Sequence, residues 1–215
     1  IMTLANEHDL KVIEDCAQAH GAAYKGRSVG SIGHVGAWSF CQDKIMTTGG
    51  EGGMATTNDR DLWSRIWSYK DHGKSWESVY EIEYPSKFGF RWLHESFGTN
   101  GRMLEMQAVI GRIQLRRMVD WTARRTVNAS RISEVLSCNR AVRVPEVPVD
   151  FTHAWYRMNV LVRTEYSAES WGRDRIMEEI IGQGVPCYSG TCPEVYLEKV
   201  FADTDFRPVE RLPMA

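Results

Sequence analysis

No uninterrupted apolar run in this sequence approaches the roughly 18 residues that a membrane-spanning helix needs, and no signal-peptide pattern is visible. An excess of one charge is also missing. The 26 Lys and Arg stand against 28 Asp and Glu, a formal net charge of −2. That balance argues against a nucleic-acid or membrane-surface partner as the main business. The five cysteines, at 16, 41, 138, 187 and 192, are an odd count without framework spacing. Cys187 and Cys192 are not a paired zinc pattern, and no matching Cys or His pair follows, so no metal site is expected. Reduced thiols in a cytoplasmic protein are the expected state. Internal repeats and low-complexity tracts are absent too.

What is present is the composition of an ordinary globular protein. With 43% apolar and 25% charged residues in 215, the chain can bury a real core in one large or two small domains. Residues 1–10 read as the tail of a helix, so the sequence is expected to be an internal or C-terminal piece lacking an N-terminal part. Lys11 to Asp15 is a short β-prone run in the αβ rhythm of a parallel sheet. In such sheets ligands bind beyond the carboxyl ends of strands, where Asp15 would stand. A Gly-rich connection runs from Gly26 to Gly36. Val35 to Phe40 reads as the next strand, with Ser39 near its end, and Met54 to Thr57 as another. Asn58 or Asp59 can cap a helix to about Lys70, with Leu62, Ile66 and Tyr69 on one face.

Residues 71–99 have no clean period but many aromatics: Trp76, Tyr80, Tyr84, Phe88, Phe90, Trp92 and Phe97. A loop of that length is either functional or a surface excursion pinned by its own rings. A long helix follows to about Ser137, with Met103, Met106, Ile110, Ile113, Met118 and Trp121 on one face for core or subunit packing. The expected organisation is therefore a large domain over 1–138, a linker over 139–152 containing Pro145 and Pro148, and a small, incomplete domain over 153–215. In the small domain Tyr156, Met158, Val160 and Val162 alternate as in a strand. Ser167 starts a helix to about Gln183, and Gly184 to Tyr188 turn back.

The chemistry concentrates at Lys44. It lies five residues after Ser39 and just before a loop with four glycines, Gly49, Gly50, Gly52 and Gly53. Glycine lets backbone approach a ligand closely, and a lysine partly desolvated beside such a loop can attack a carbonyl. Taken singly, Lys44 reads as a surface lysine, Asp15 as a capping aspartate, Gln18 as surface and Asn100 as a turn residue. The loop is a poor nucleotide-phosphate cradle, since neither Gly-x4-Gly-Lys-Ser/Thr nor Gly-x-Gly-x-x-Gly in its strand–loop–helix setting is there. In series, however, Asp15-x-x-Gln18, Ser39-x4-Lys44 and Asn100-x-Arg102 supply what pyridoxal phosphate (PLP) requires. These are an amine for the aldehyde, a carboxylate for the pyridine nitrogen and donors for the phosphate.

Glu14-Asp15-Cys16-Ala17-Gln18-Ala19-His20-Gly21, Ser39-Phe40-x3-Lys44-x4-Gly49-Gly50-Glu51-Gly52-Gly53 and the run from Gly98 to Gly111 together resemble the DegT/DnrJ/EryC1/StrS family of PLP-dependent sugar aminotransferases. The resemblance extends to His153-x-Trp155-Tyr156 and to Gly184 through Tyr188. It implies an α/β chain of fold type I, aspartate aminotransferase-like: part of a large-domain mixed sheet flanked by helices, plus a smaller α+β C-terminal domain. It implies that Lys44 is the Schiff-base lysine and proton carrier, that Asp15 pairs with the pyridine nitrogen, and that Gln18 lies close to the ring. Ser39 would bind the phosphate within its own chain and Asn100 in the partner subunit's site, making a homodimer with shared active sites. Arg102 and His153 would lie near the substrate or the interface. The implied reaction moves an amino group from an amino acid, L-glutamate, to a keto group of a nucleotide-linked sugar. The alternatives are a keto-sugar dehydratase of the same family, in which histidine replaces this lysine, and a truncated homologue without activity. The family's phosphate-binding Gly-Thr/Ser turn and ring-stacking aromatic lie N-terminal to these residues, and its C-terminal strand lies beyond them. His20, His34, His72 and His94 take no role in this reading.

Overall fold

The computed structural model describes residues 1–84, 89–190, 192 and 194–213. Phe88, Thr191, Met214 and Ala215 lie outside the described residues. In chain order the elements are α1 (Met2–Glu7), β1 (Ile13–Asp15), β2 (Ala23–Tyr24), β3 (Arg27–Ser28), β4 (Val35–Ser39), β5 (Gly53–Thr56), α2 (Arg60–Lys70) and α3 (Trp76–Tyr80). Then come α4 (Glu105–Ser137), β6 (Val142–Arg143), β7 (Phe151–Thr152), β8 (Leu161–Val162) and α5 (Arg173–Gly182). The chain divides into two compact units, 1–135 with 146–158, and 136–145 with 159–215. The stretch 139–152 is thus shared out: β6 lies in the second unit and β7 in the first.

In the first unit the central sheet has the order β1-β4-β5 and is mixed, with β1 parallel and β5 antiparallel to β4. Ile13 pairs with Val35 and Asp15 with Ala37, so both strands end on the same side of the sheet. α2 begins at Asp59, whose carboxylate accepts from the Asp61 and Leu62 N–H groups, the cap that the sequence allowed. Leu62 and Ile66 are half-buried, but Tyr69 on the same face is 60% exposed. α4 runs 33 residues, about 50 Å at the α-helical rise. Only part of its stripe is core. Met118 is buried with Phe40 and Met46, and Met103 and Trp121 pack beside them, whereas Met106 is 74% exposed. Gly111 lets the helix approach the lysine loop, because a Cβ there would come within 3.0 Å of Thr48 Cγ2.

Several expectations give way to the structure. The Gly26–Gly36 connection opens on β3, which forms a hairpin with β2 just before it, turning through Lys25 and Gly26, both at positive φ. β7 pairs with β2 from 127 residues downstream (Tyr24 with Phe151), a partner that no local pattern announces. Residues 71–99 hold α3, capped by the Ser75 hydroxyl, and Trp76 on it meets Trp63 and Trp67 of α2 edge-on at 5.4 and 5.3 Å. The strand expected from Tyr156 to Val162 shrinks to β8, paired with β6 in the second unit, and Trp155, at φ +51°, turns the chain just before the expected run. The helix expected from Ser167 begins at Arg173. Ser167 is extended, and its hydroxyl donates to the Arg163 carbonyl instead of capping, so Gly172 is the N-cap residue. Cys16, Cys41, Cys187 and Cys192 are free thiols. Among the described residues, no helix is long and apolar enough to cross a membrane.

One carboxylate ties the sheet to its connection. Glu14 accepts from the N–H groups of Gly30 (2.9 Å), Ile32 (2.7 Å) and Gly33 (2.6 Å). Burial pushes its carboxyl up, but the N–H donors, Gly33 foremost, and Arg27 outweigh this and hold it below its ordinary 4.5. A depressed carboxyl contributes stability that is complete above the unfolded value and is lost as pH falls through the folded one. Glu14→Ala is therefore expected to cost about 3 kcal/mol at pH 7, the scale of shared charge-assisted hydrogen bonds. Urea midpoints at pH 7 and below pH 4 test this. The gap between wild type and variant should narrow in acid, and a gap independent of pH would mean that the cost is packing alone.

Candidate active site

Two strand ends create the site. Asp15 closes β1 and Ser39 closes the neighbouring β4, two residues beyond Asp15's partner Ala37. Asp15 is exposed, and one carboxylate oxygen accepts from the Ala17 N–H at 3.0 Å. Gln18 is exposed on the turn that follows, where the Ala19 N–H reaches the Cys16 carbonyl at 3.0 Å. Cys16 itself is fully buried, and burial followed by the charges of Glu14 and Asp15 pushes its thiol up to about 11. It is a packing residue, not a nucleophile.

After Ser39 the chain forms the lysine loop, closed by the Phe40 N–H on the Gly52 carbonyl (2.8 Å) and the Thr48 N–H on the Phe40 carbonyl (3.3 Å). Helix α4 fixes it from the side. The Gln107 amide donates to the Glu51 carbonyl at 2.7 Å, and Gln114 accepts from the Thr47 N–H at 2.9 Å. Gly49 and Gly50 take φ +76° and +144°, which the loop needs to turn back toward β5. Ser39 Oγ is half-buried and accepts from the Cys41 N–H at 3.4 Å.

Lys44 is half-buried, and its Nζ lies 5.2 Å from the Tyr156 ring centroid. No carboxylate among the described residues lies within ion-pair distance of it. Asp43 next door is engaged elsewhere, accepting from the Tyr156 hydroxyl at 2.8 Å and pairing with Arg157 at 3.6 Å. Tyr156 above all holds the Asp43 carboxyl below its usual range. The sequence placed Tyr156 in a strand and missed this role, because its contacts with Asp43 and Lys44 span more than a hundred residues of chain.

A second residue was missed. His20 is 4% exposed, wedged against Trp38 (5.2 Å) and Phe40 (5.9 Å), and neither ring nitrogen has a hydrogen-bond partner among the described residues. Burial first, then the Lys44 charge, lower its pKa, with the Ser39 backbone opposing weakly. Its place in the Asp15–Gly21 run was the available signal. Only the fold shows that it underlies the lysine loop.

Asn100 and Arg102 sit elsewhere. Asn100 is exposed and bridges to Asp71, and Arg102 Nε donates to Asn100 Oδ1 at 2.9 Å. No contact among the described residues joins either one to Asp15, Ser39 or Lys44. His153 is exposed, with Nδ1 accepting from the Trp155 N–H at 3.0 Å, so it is Tyr156, not His153, that meets Lys44.

The profile of the DegT/DnrJ/EryC1/StrS aminotransferase family matches residues 1–215. The chain belongs to this family. It is 60% identical to an aminotransferase from Psychrobacter cryohalolentis of known structure, superposing with a TM-score of 0.92 over 99% of this chain and 55% of that one. The Streptomyces venezuelae enzyme DesV, solved with a ketimine intermediate, is 30% identical with a TM-score of 0.75 over 94% of this chain and 48% of its own. The GDP-perosamine synthase of Escherichia coli O157:H7 is 33% identical over 93% of this chain and 50% of its own length. The chain spans about half the length of the curated relatives it matches. As a member of this family it has the α/β architecture of fold-type-I aminotransferases, of which the β1-β4-β5 sheet and its helices are part.

Proposed function

We propose that this chain carries the PLP site of an aminotransferase that moves an amino group from an amino acid, L-glutamate, to a keto carbon of a nucleotide-linked sugar. The observation that carries the reading is Lys44: a half-buried amine with no carboxylate partner among the described residues, on the loop that follows β4, the strand paired with the one Asp15 closes. These residues fit the cofactor. Lys44 would hold it covalently and carry the proton at the reacting carbon, and Asp15 would face the pyridine nitrogen. Gln18 would lie against the ring, and Ser39 would donate to the phosphate. Bound PLP supplies an electron sink that makes the donor's α-proton removable. Asn100 would serve the partner subunit's phosphate, so the working unit is a homodimer, with Arg102 and His153 toward the substrate or the interface. Several relatives are named for nucleotide-sugar amino transfer, which supports the acceptor class. Lysine at position 44 favours transamination over the dehydratase alternative, where histidine stands.

The test is borohydride reduction of the full-length protein with PLP, followed by peptide mapping, and formation of 2-oxoglutarate from glutamate in the presence of a keto-sugar nucleotide. Adduct on Lys44 together with 2-oxoglutarate is the expected result. Label on another residue, or none, would sink the assignment.

A further inference from the structure

The turn that carries Asn100 is built around a buried carboxylate, Asp71, that has no place in the site described above. Asp71 follows α2 and is 8% exposed. Lys70 Nζ lies 3.2 Å from Oδ2, and Lys74 Nζ and Arg102 Nη1 lie 3.5 and 4.0 Å from Oδ1. Three cations therefore share one carboxylate, so this turn is cationic although the chain as a whole is slightly acidic. Burial alone would raise the Asp71 carboxyl, but Lys70 first, then Lys74 and Arg102, bring it below its ordinary value.

The backbone here is locked as tightly as the charges. Asp71 and Asn100 form an antiparallel bridge. Around it the His72 N–H donates to the Thr99 carbonyl (3.0 Å), the Thr99 N–H to Tyr69 (2.7 Å) and the Gly101 N–H to Lys70 (2.9 Å). A Cβ on Gly73, at φ +78°, would fall 1.7 Å from the Ser96 carbonyl oxygen, so only glycine permits this contact. Arg102 donates to Asn100 Oδ1, which fixes the amide's orientation. The Asn100 side-chain nitrogen is left without a partner among the described residues.

We infer that Asp71 is a positioning residue for phosphate recognition: by gathering Lys70, Lys74 and Arg102, it sets Arg102 on the Asn100 oxygen so that the amide N–H groups face outward. The surplus positive charge then favours a dianionic phosphate monoester over a neutral ligand. This rests on the reading in which Asn100 meets the cofactor phosphate of the partner subunit.

The test compares PLP with pyridoxal, which lacks the phosphate, by absorbance titration of the full-length protein. Asp71→Asn keeps the size of the side chain and removes its charge. It is expected to weaken PLP binding by about tenfold, because the mis-set amide, about the size of one charge-assisted hydrogen bond, outweighs the positive charge that loss of the carboxylate adds to an exposed, solvent-screened turn, and to leave pyridoxal binding within about twofold. In an Asn100→Ala background the same substitution should add little, because the two act through one amide. Equal losses for PLP and pyridoxal, no loss for either, or independent losses in the double variant would overturn the inference. Should Asp71→Asn not fold, Lys74→Met removes one cation while Lys70 and Arg102 still pair the carboxylate. It should lower the ratio of PLP to pyridoxal affinity about threefold by loss of nearby charge, and an unchanged ratio would count against the proposal. Lack of a Lys44 adduct in the wild type would instead bring down the PLP reading, and this inference with it.

Discussion

Lys44→Ala in the full-length protein should abolish amine transfer while leaving a folded chain that still assembles. The expected loss is at least about 10³-fold, since positioned proton transfer alone contributes 10²–10⁴ and covalent attachment is lost as well. The fold should survive because the loop is held from outside the lysine side chain, by the Phe40–Gly52 and Thr48–Phe40 backbone bonds and by Gln107 and Gln114 of α4. What disappears structurally is the contact of Nζ with the Tyr156 ring at 5.2 Å, a cation–π interaction of about 1 kcal/mol. Lys44→Arg sharpens the test. It keeps the positive charge over Tyr156, yet a guanidinium stays protonated and cannot attack a carbonyl. If arginine restored transfer, Lys44 would act only as a charge, and both its covalent and its proton-carrying roles would be refuted. Circular dichroism and the assembled mass of each variant, against wild type, separate loss of chemistry from loss of fold.

The features of this site that were readable in the sequence are those set by local rules. Asn58 and Asp59 announced the start of α2, with the structure choosing Asp59, because a side-chain cap needs only the next three residues, and the apolar spacing around Met103 and Met118 gave α4 nearly end to end. Strand β4 and the position of Ser39 at its end came from one short β-prone run. What escaped depends on distant chain. A two-residue strand such as β7 has no period to detect, and its pairing with β2 crosses more than a hundred residues. Tyr156 alternates with Met158 as a strand would, yet it follows a residue at positive φ, Trp155, and its ring lies over Lys44 more than a hundred residues away in the chain. The exposure of Met106 is equally hidden, because periodicity reports a face but not what that face meets. Asp71 shows the same limit for charge: in the sequence it is one acid among lysines, and burial makes it the centre of a turn.

Asp15→Asn is the second large effect, and it isolates charge from shape. The substitution keeps an oxygen able to accept the Ala17 N–H bond now made at 3.0 Å, so the turn that presents Gln18 should persist. Glu14, one residue earlier, carries the structural anchoring of this strand end through its three N–H donors. Asp15 is exposed and makes no ion pair among the described residues, so stability should change by no more than about 0.5 kcal/mol, as at ordinary surface positions. The chemistry should not be so tolerant. A carboxylate at the pyridine nitrogen keeps that nitrogen protonated, and removing one preorganised electrostatic partner from a reacting centre typically costs about 10²–10³ in kcat. The expected signature is therefore a split: unchanged melting, borohydride trapping of PLP still on Lys44, and kcat for 2-oxoglutarate formation down by two to three orders of magnitude on that scale. Asp15→Glu should recover less than a tenth of the wild-type rate, because the added methylene displaces the carboxylate by about 1 Å from a position fixed by the β1–β4 register. A kcat for Asp15→Asn within tenfold of wild type would show that the charge at this strand end is not what activates the ring, and the assignment would have to move to another acid.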